Sequence, residues 1–344
     1  MKIAIMKNFD VNKNQNRQIE IDALKGVLAI LVITGHAIQI VYTKNKLDFD
    51  ESALFNIIYS FHMPLFMFVS GYLFKPESKT RPLKKIIRLL LPFVAWALVY
   101  NIDPGKSIEI LYNDIINTLI NTDLGLWFLV TLAQIIALNQ VFRIFSKSQL
   151  VINILLILTA ILADIYMVTT NQTGFGLDQL GWMLPFFALG NLASNFPQLM
   201  PPNYKKQITI LSLIVYLFLL MNFSRSYEKY NSIIEAPAPL DFFEFYISKY
   251  IIAISVILII MLNIRTLKAF PQFLKKIGKL SLEFYASQFL FLGLSAQFAI
   301  QTNTNIFAEI LLTAIMTTLL SLLFIMTTRK LPIVPKILFG NDFK

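Results

Sequence analysis

Ten stretches of roughly twenty predominantly apolar residues recur along this chain, near 24–42, 54–74, 86–102, 124–142, 149–168, 178–195, 206–222, 243–263, 280–300 and 306–327. A hydrocarbon core about 30 Å thick is crossed by a helix of about that length, because each helical residue rises about 1.5 Å. Lipid offers the backbone no hydrogen-bond partner, so such segments satisfy their own N–H and C=O groups by coiling into helices. The pattern predicts an all-α, polytopic membrane protein with ten transmembrane helices. Composition agrees: 56% of the 344 residues are hydrophobic, 15% are charged, and mean hydropathy is +0.63. One further stretch, 103–123, is amphipathic and too charged to span, which predicts a short helix lying at the membrane surface.

The first twenty residues contain no apolar run and no small-residue cleavage site, so they read as a tail and not as a signal peptide. With that tail placed in the cytoplasm, 24 of the 30 Lys and Arg residues fall on the cytoplasmic side. Fourteen of the 20 acids fall outside, five inside, and Glu283 lies within a span. This asymmetry is what the positive-inside rule demands, and it predicts cytoplasmic tails at 1–20 and 328–344. The net charge of +10 is thereby accounted for by topology, and nucleic acid is not an expected partner. No cysteine is present, which excludes disulfides, thiolate metal sites and cysteine nucleophiles. No phosphate-binding loop, GxSxG turn, HExxH motif or internal repeat occurs, and no linker divides the chain, so 1–344 reads as one membrane domain. The longest outer loop, 223–242, reads either as a lid or acceptor contact or as a plain connector.

Polar residues inside the spans carry the functional signal. Eleven residues turn a helix through about 1100°, only about 20° past three full turns, so Lys25 and His36 share one face of the first span. Asp22, Ala29, Val32 and Gln39 fall on the same stripe, which suits a cavity or another helix and not lipid. The chain's other histidine, His62, lies in the second span at a predicted depth similar to that of His36. Imidazole exchanges a proton near neutral pH and attacks a thioester carbonyl; it also serves as a neutral hydrogen-bonding group between helices. Both histidines falling at one depth favours the chemical role.

At the cytoplasmic edge, Arg81, Lys84, Lys85 and Arg88 precede and open the third span. Such residues anchor a helix at lipid head groups or bind an anionic ligand, and charge alone favours the anchor. Glu283 sits about one turn into the ninth span and needs a partner, for which Lys25 and Arg88 are candidates. Asp178 opens the sixth span as an N-cap or a hydroxyl acceptor. Trp127 reads as an interfacial residue or a stacking wall, and Ser70 on the second span is a further supporting candidate.

The segment "EIDALKGVLAILVITGH" followed by "FHMPLFMFVSGYLF" resembles the start of the acyltransferase-3 family of integral-membrane O-acetyltransferases. The stretches "KKIIRLLLPFVAW", "LWFLVTLAQ", "LDQLGWMLPFFALGN" and "IGKLSLEFYASQFLF" continue that likeness in the family's order, closest to its fucose O-acetylase-like branch. The resemblance implies ten transmembrane helices in the inner (cytoplasmic) membrane of the cell. It also implies an acetyl group drawn from cytoplasmic acetyl-CoA and delivered to a sugar hydroxyl of an envelope glycan. The family's basic residue, ten intervening residues and histidine fall on Lys25 and His36, and its basic pair three apart on Lys85 and Arg88. The histidine is then the catalytic residue and the basic groups are linked to the acyl-CoA. Position 25 is Lys where Arg is commoner, and position 288 is Gln where many relatives have His.

Together these readings predict that Lys25, Lys85 and Arg88 hold the phosphates of acetyl-CoA. His36 then acts either as general base toward the acceptor hydroxyl or as an acyl-imidazole carrier. His62 orients the acceptor, stabilises the developing oxyanion or shares the proton. No metal is expected. The alternative is a proton-coupled carrier or flippase for an envelope glycan precursor, and a third reading is a scaffold whose polar groups join helices. The sugar, its hydroxyl and the oligomeric state are not specified by the sequence.

Overall fold

The computed structural model describes residues 2–75, 82–103, 105–170, 174–196, 202–225, 238–264 and 270–340. Among them there is no strand. The helices are α1 (Lys2–Lys44), α2 (Ala53–Tyr59), α3 (His62–Leu73), α4 (Pro82–Asn101), α5 (Ile108–Ile120), α6 (Trp127–Phe145) and α7 (Gln149–Thr170). They continue as α8 (Leu177–Asn195), α9 (Lys205–Leu220), α10 (Ala238–Leu262), α11 (Gln272–Lys279), α12 (Ser281–Gln301), α13 (Ile306–Thr328) and α14 (Val334–Phe339). Helix fills each of the ten apolar stretches. Six helical segments are long and apolar enough to cross a membrane: Ile19–Lys44, Ala53–Leu73, Trp127–Phe145, Gln149–Met167, Glu244–Leu262 and Ile306–Thr328. The other four are shorter or more polar. Helix α9 has 16 residues, α4 carries Lys84, Lys85 and Arg88 near its start, and α8 and α12 carry Asp178 and Glu283.

One local departure from the expected pattern has a clear cause, and one expected short helix is present. The second predicted span is two helices, because Pro64 lacks an N–H and its ring clashes with the carbonyl four residues back, at Ser60. The chain therefore breaks at Ser60–Phe61 and restarts at His62. The 103–123 region contains the 13-residue α5, capped by Ser107 Oγ, which accepts the Ile110 N–H at 3.4 Å.

The described residues fall into two compact units: Met1–Phe66, Met200–Phe284 and Phe291–Leu320 form one, and Met67–Leu199, Tyr285–Leu290 and Ser321–Lys344 the other. In the first unit, α11 lies directly against α1. A Cβ on Gly26 would land on the Leu274 carbonyl, and one on Gly278 on the Asp22 carbonyl, so glycine at both positions lets the two backbones touch. Helices α9 and α10 pack together, joined at one end by the Asn263 amide donating to Thr209 Oγ1 at 3.2 Å. In the second unit α7 packs along α8, with Asn153 Nδ2 donating to Asn191 Oδ1 at 3.0 Å in the buried seam. The short α14 docks on α4, where Trp96 Nε1 donates to the Leu338 carbonyl at 2.8 Å.

Candidate active site

Both histidines belong to the first unit, and one cluster holds them. On α1, His36 and Gln39 are three residues apart, nearly a full turn, so their side chains meet. His36 Nδ1 and Gln39 Oε1 are 2.9 Å apart. The same Gln39 oxygen accepts the Tyr59 hydroxyl at 3.0 Å. Tyr59 is the last residue of α2 and approaches α1 because Gly35 has no side chain: a Cβ there would stand 2.8 Å from the Tyr59 ring. Across that ring, Tyr59 stacks on Phe55 at 3.9 Å and presents its edge to His62 at 4.7 Å. The two imidazoles are close enough to act on each other electrostatically.

Protonation of both rings follows from what each nitrogen faces. An amide oxygen only accepts, so His36 Nδ1 carries the hydrogen and Nε2 carries the lone pair. His62 Nδ1 faces the Ile58 carbonyl at 2.7 Å, which also only accepts. That carbonyl is one that the helix break deprives of its usual i+4 partner, and the His62 side chain satisfies it. His62 Nε2 is therefore also a lone pair. A neutral His62 in this state accepts a hydrogen bond through Nε2, and it donates one to an oxyanion only once that nitrogen has taken up a proton. Orienting a hydroxyl and sharing a proton remain compatible with the geometry. His62 is buried at 3% exposure, whereas His36 is half-buried.

Three residues predicted near the cytoplasmic edge are also brought together. Lys25 Nζ lies 3.9 Å from Asp22 Oδ1, and the charge of buried Glu283 acts on Lys25 as well. Of the two partners proposed for Glu283, Lys25 interacts with it. One cation is thus flanked by two carboxylates, which offsets much of its attraction for a phosphate. Lys25 and His36 share a continuous helix, about 16 Å apart along its axis.

The remaining predicted residues lie in the second unit. Lys85 Nζ donates to the Lys75 carbonyl at 3.1 Å and sits 5.2 Å from the Phe74 ring centre, and partial burial holds its amine below the ordinary lysine value. Arg88 Nε donates to the Gly340 carbonyl at 2.9 Å, where α14 ends in a left-handed turn. Arg81 lies outside the described residues. Asp178 is not the N-cap of α8: that position is Gly176, in a left-handed conformation with no side chain to offer, and Asp178 sits within the first turn. There its carboxylate still complements the helix dipole and accepts from Gln179 Nε2 at 3.1 Å. Trp127 opens α6 with its ring edge-on to Phe128, and Ser70 is half-buried on α3. Gln288 is buried, with Nε2 donating to the Tyr285 carbonyl at 3.1 Å.

Three residues near the histidines were not anticipated: Tyr59, Arg225, whose guanidinium lies over the Tyr59 ring, and Lys249, which donates to the Arg225 carbonyl. Tyr59 precedes His62 by three residues, and Arg225 and Lys249 are two of only six cations assigned to the outer side, which was the available signal.

These features define a class: a multi-pass membrane protein, helical without strands among the described residues, with two histidines brought together on helices apolar enough to span. The chain belongs to the acyltransferase-3 family, whose acyltransferase-domain model matches residues 18–326. Similar curated proteins include nodulation protein NolL of Sinorhizobium fredii, 31% identical over 190 residues that make up 52% of this chain and 49% of that protein. NolL of Mesorhizobium japonicum is 35% identical over 123 residues, 33% of each chain. The chain thus matches about half the length, or less, of these curated relatives. No solved structure matches significantly.

Proposed function

We propose that the protein is a membrane O-acetyltransferase that moves an acetyl group from cytoplasmic acetyl-CoA to a sugar hydroxyl of a cell-envelope polysaccharide or lipid-linked glycan. The observation that carries this reading is the Gln39 oxygen that receives both the His36 Nδ1–H and the Tyr59 hydroxyl. It supports a histidine whose Nε2 lone pair is aimed and chemically competent. His36 then takes the acceptor's hydroxyl proton on Nε2 as the alkoxide oxygen attacks the thioester carbonyl. The carbon–sulfur bond breaks, and the imidazolium returns its proton to the departing thiolate. An acyl-imidazole on the same nitrogen, resolved by the acceptor hydroxyl, uses the same geometry. His62 Nε2 accepts from a second hydroxyl of the same sugar and so orients the acceptor, leaving the reacting hydroxyl's proton to His36.

Lys25, Lys85 and Arg88 are assigned to the donor on the strength of the family motif alone, since each also has a partner within the protein. Ten spans with both termini cytoplasmic, in the cytoplasmic membrane, complete the reading, supported by the charge asymmetry of the loops.

The test is transfer of radiolabelled acetyl from acetyl-CoA to a glycan extract by the purified protein. Label should appear in the glycan, and His36→Ala should abolish it while the variant remains monodisperse and thermally stable. An active His36→Ala protein, or glycan movement across proteoliposomes with no acetyl transfer, overturns the reading.

A further inference from the structure

Tyr59 has a further neighbour that acyl transfer by itself does not explain. Arg225, exposed beyond the end of α9, lays its guanidinium over the Tyr59 ring, 5.1 Å from its centre. Stacking on an aromatic face fixes a guanidinium's orientation while leaving its in-plane N–H groups able to meet an anion. Lys249 on α10 donates to the Arg225 main-chain carbonyl at 3.2 Å, with its ammonium over the Phe245 ring at 4.6 Å. The Arg225 charge acts on His36, His62 and Lys249 together. The charge of Asp50 reaches Tyr59, yet among the described residues the Arg225 guanidinium makes no ion pair with Asp50 or any other carboxylate.

Two cations held side by side next to two imidazoles repel one another, and the repulsion is larger where water is partly excluded. An anion bound at the exposed Arg225 guanidinium relieves that repulsion. Phosphates of the acyl donor are expected near Lys25, eleven residues down α1 from His36, so they do not account for a cation over Tyr59.

We propose that Arg225, with Lys249 beside it, binds a negatively charged group on the acyl acceptor, a sugar carboxylate or a glycan phosphate, and so presents the neighbouring hydroxyl to His36. In naming the anion's carrier as the acceptor, this rests on the acetyl-transfer reading; anion binding at Arg225 does not. Acceptors carrying the charge are selected over neutral ones because, among the described residues, the guanidinium has no ion-pair partner.

The chain holds only two histidines, so 15N-histidine labelling of the full-length protein in nanodiscs gives a spectrum of two residues, assigned with His62→Gln. Three probes are titrated: methyl glucuronide, a polyprenyl phosphate and methyl glucoside. One of the two anionic probes should shift the histidine resonances saturably while the neutral glucoside does not, and the responding probe identifies carboxylate or phosphate as the source. Arg225→Gln should weaken that binding about tenfold, with Arg225→Lys in between. Equal response to the glucoside, no response to either anion, or unchanged affinity in Arg225→Gln overturns the proposal. Because no acyl transfer is measured, a protein that binds the anion but never transfers acetyl refutes only the acetyl-transfer reading. An active acetyltransferase indifferent to Arg225 refutes only this one.

Discussion

Gln39 governs the His36 ring from one turn away, and its removal has a calculable consequence. With Gln39→Ala the His36 Nδ1–H loses its acceptor, the two neutral tautomers approach equal population, and the ring is free to swing. Leaving such a half-buried donor unpaired costs up to about 1–3 kcal/mol, so kcat should fall by up to roughly a hundredfold with little change in the KM for acetyl-CoA. Steady-state kinetics check the split, and the 15N spectrum should show His36 losing its Nδ1–H signature while His62, held by Ile58, keeps its own. Tyr59→Phe removes only the hydroxyl and keeps the ring contacts to Phe55 and His62, so its loss should be the smaller of the two. Much at this scale was legible in the sequence. The helical period alone places Lys25, His36 and Gln39 on one stripe, because all three belong to a single helix whose geometry is fixed. Tyr59 was not legible, because its approach depends on how α2 is rotated against α1, and that is decided by the space Gly35 leaves.

Elements are positioned by contacts that a hydropathy profile does not register. The α1–α11 crossing requires glycine at Gly26 and Gly278, since a side chain on either would meet the other helix's backbone. Gly26→Val should therefore destabilise by at least about 1–3 kcal/mol, the usual cost of overpacking, and lower the apparent Tm in detergent; an unchanged melting curve would show that α11 is free to lift away. Pro64 makes a different contribution. Its ring ends the alignment of α2 and α3 and leaves the Ile58 carbonyl for His62. Pro64→Ala should let the helix run through, so that the His62 backbone N–H takes that carbonyl and displaces the side chain. The measurement is again the His62 resonance, which should change while helix content by circular dichroism holds or rises. The proline was visible in the sequence, but a window averaged over twenty residues blends α2 and α3 into one apolar span. Asp178 illustrates a similar limit: Asp near a helix start suggests a cap, yet Gly176 adopts the cap position and leaves Asp178 to the first turn.

For the whole molecule, the count of crossings is where hydropathy and charge make separable predictions. Six helical segments pass on length and apolarity, whereas the distribution of Lys and Arg fits ten crossings. Both numbers are even and return the C-terminus to the side of the N-terminus, so locating the termini does not distinguish them. The turn between α6 and α7 does. Counting from a cytoplasmic N-terminus, ten crossings include α4, which places Ser146 and neighbouring Arg143 and Lys147 inside; six crossings omit α4 and place them outside. Positive charge beside that turn favours the inside. The chain has no native cysteine, so Ser146→Cys creates a single thiol in the half-buried turn between α6 and α7, at the cost of one hydrogen bond from the Ser148 N–H. In intact cells or right-side-out vesicles, a membrane-impermeant maleimide should fail to label it, and labelling should appear once the membrane is permeabilised. Lys46→Cys, just past the end of α1, supplies the opposite control and should label without permeabilisation under either count. If Ser146→Cys labels from outside, α4 does not cross and the ten-span reading fails: α5 then lies on the cytoplasmic side, whereas Lys85 and Arg88, which follow the second crossing, are cytoplasmic under either count and keep their access to a nucleotide-bearing donor.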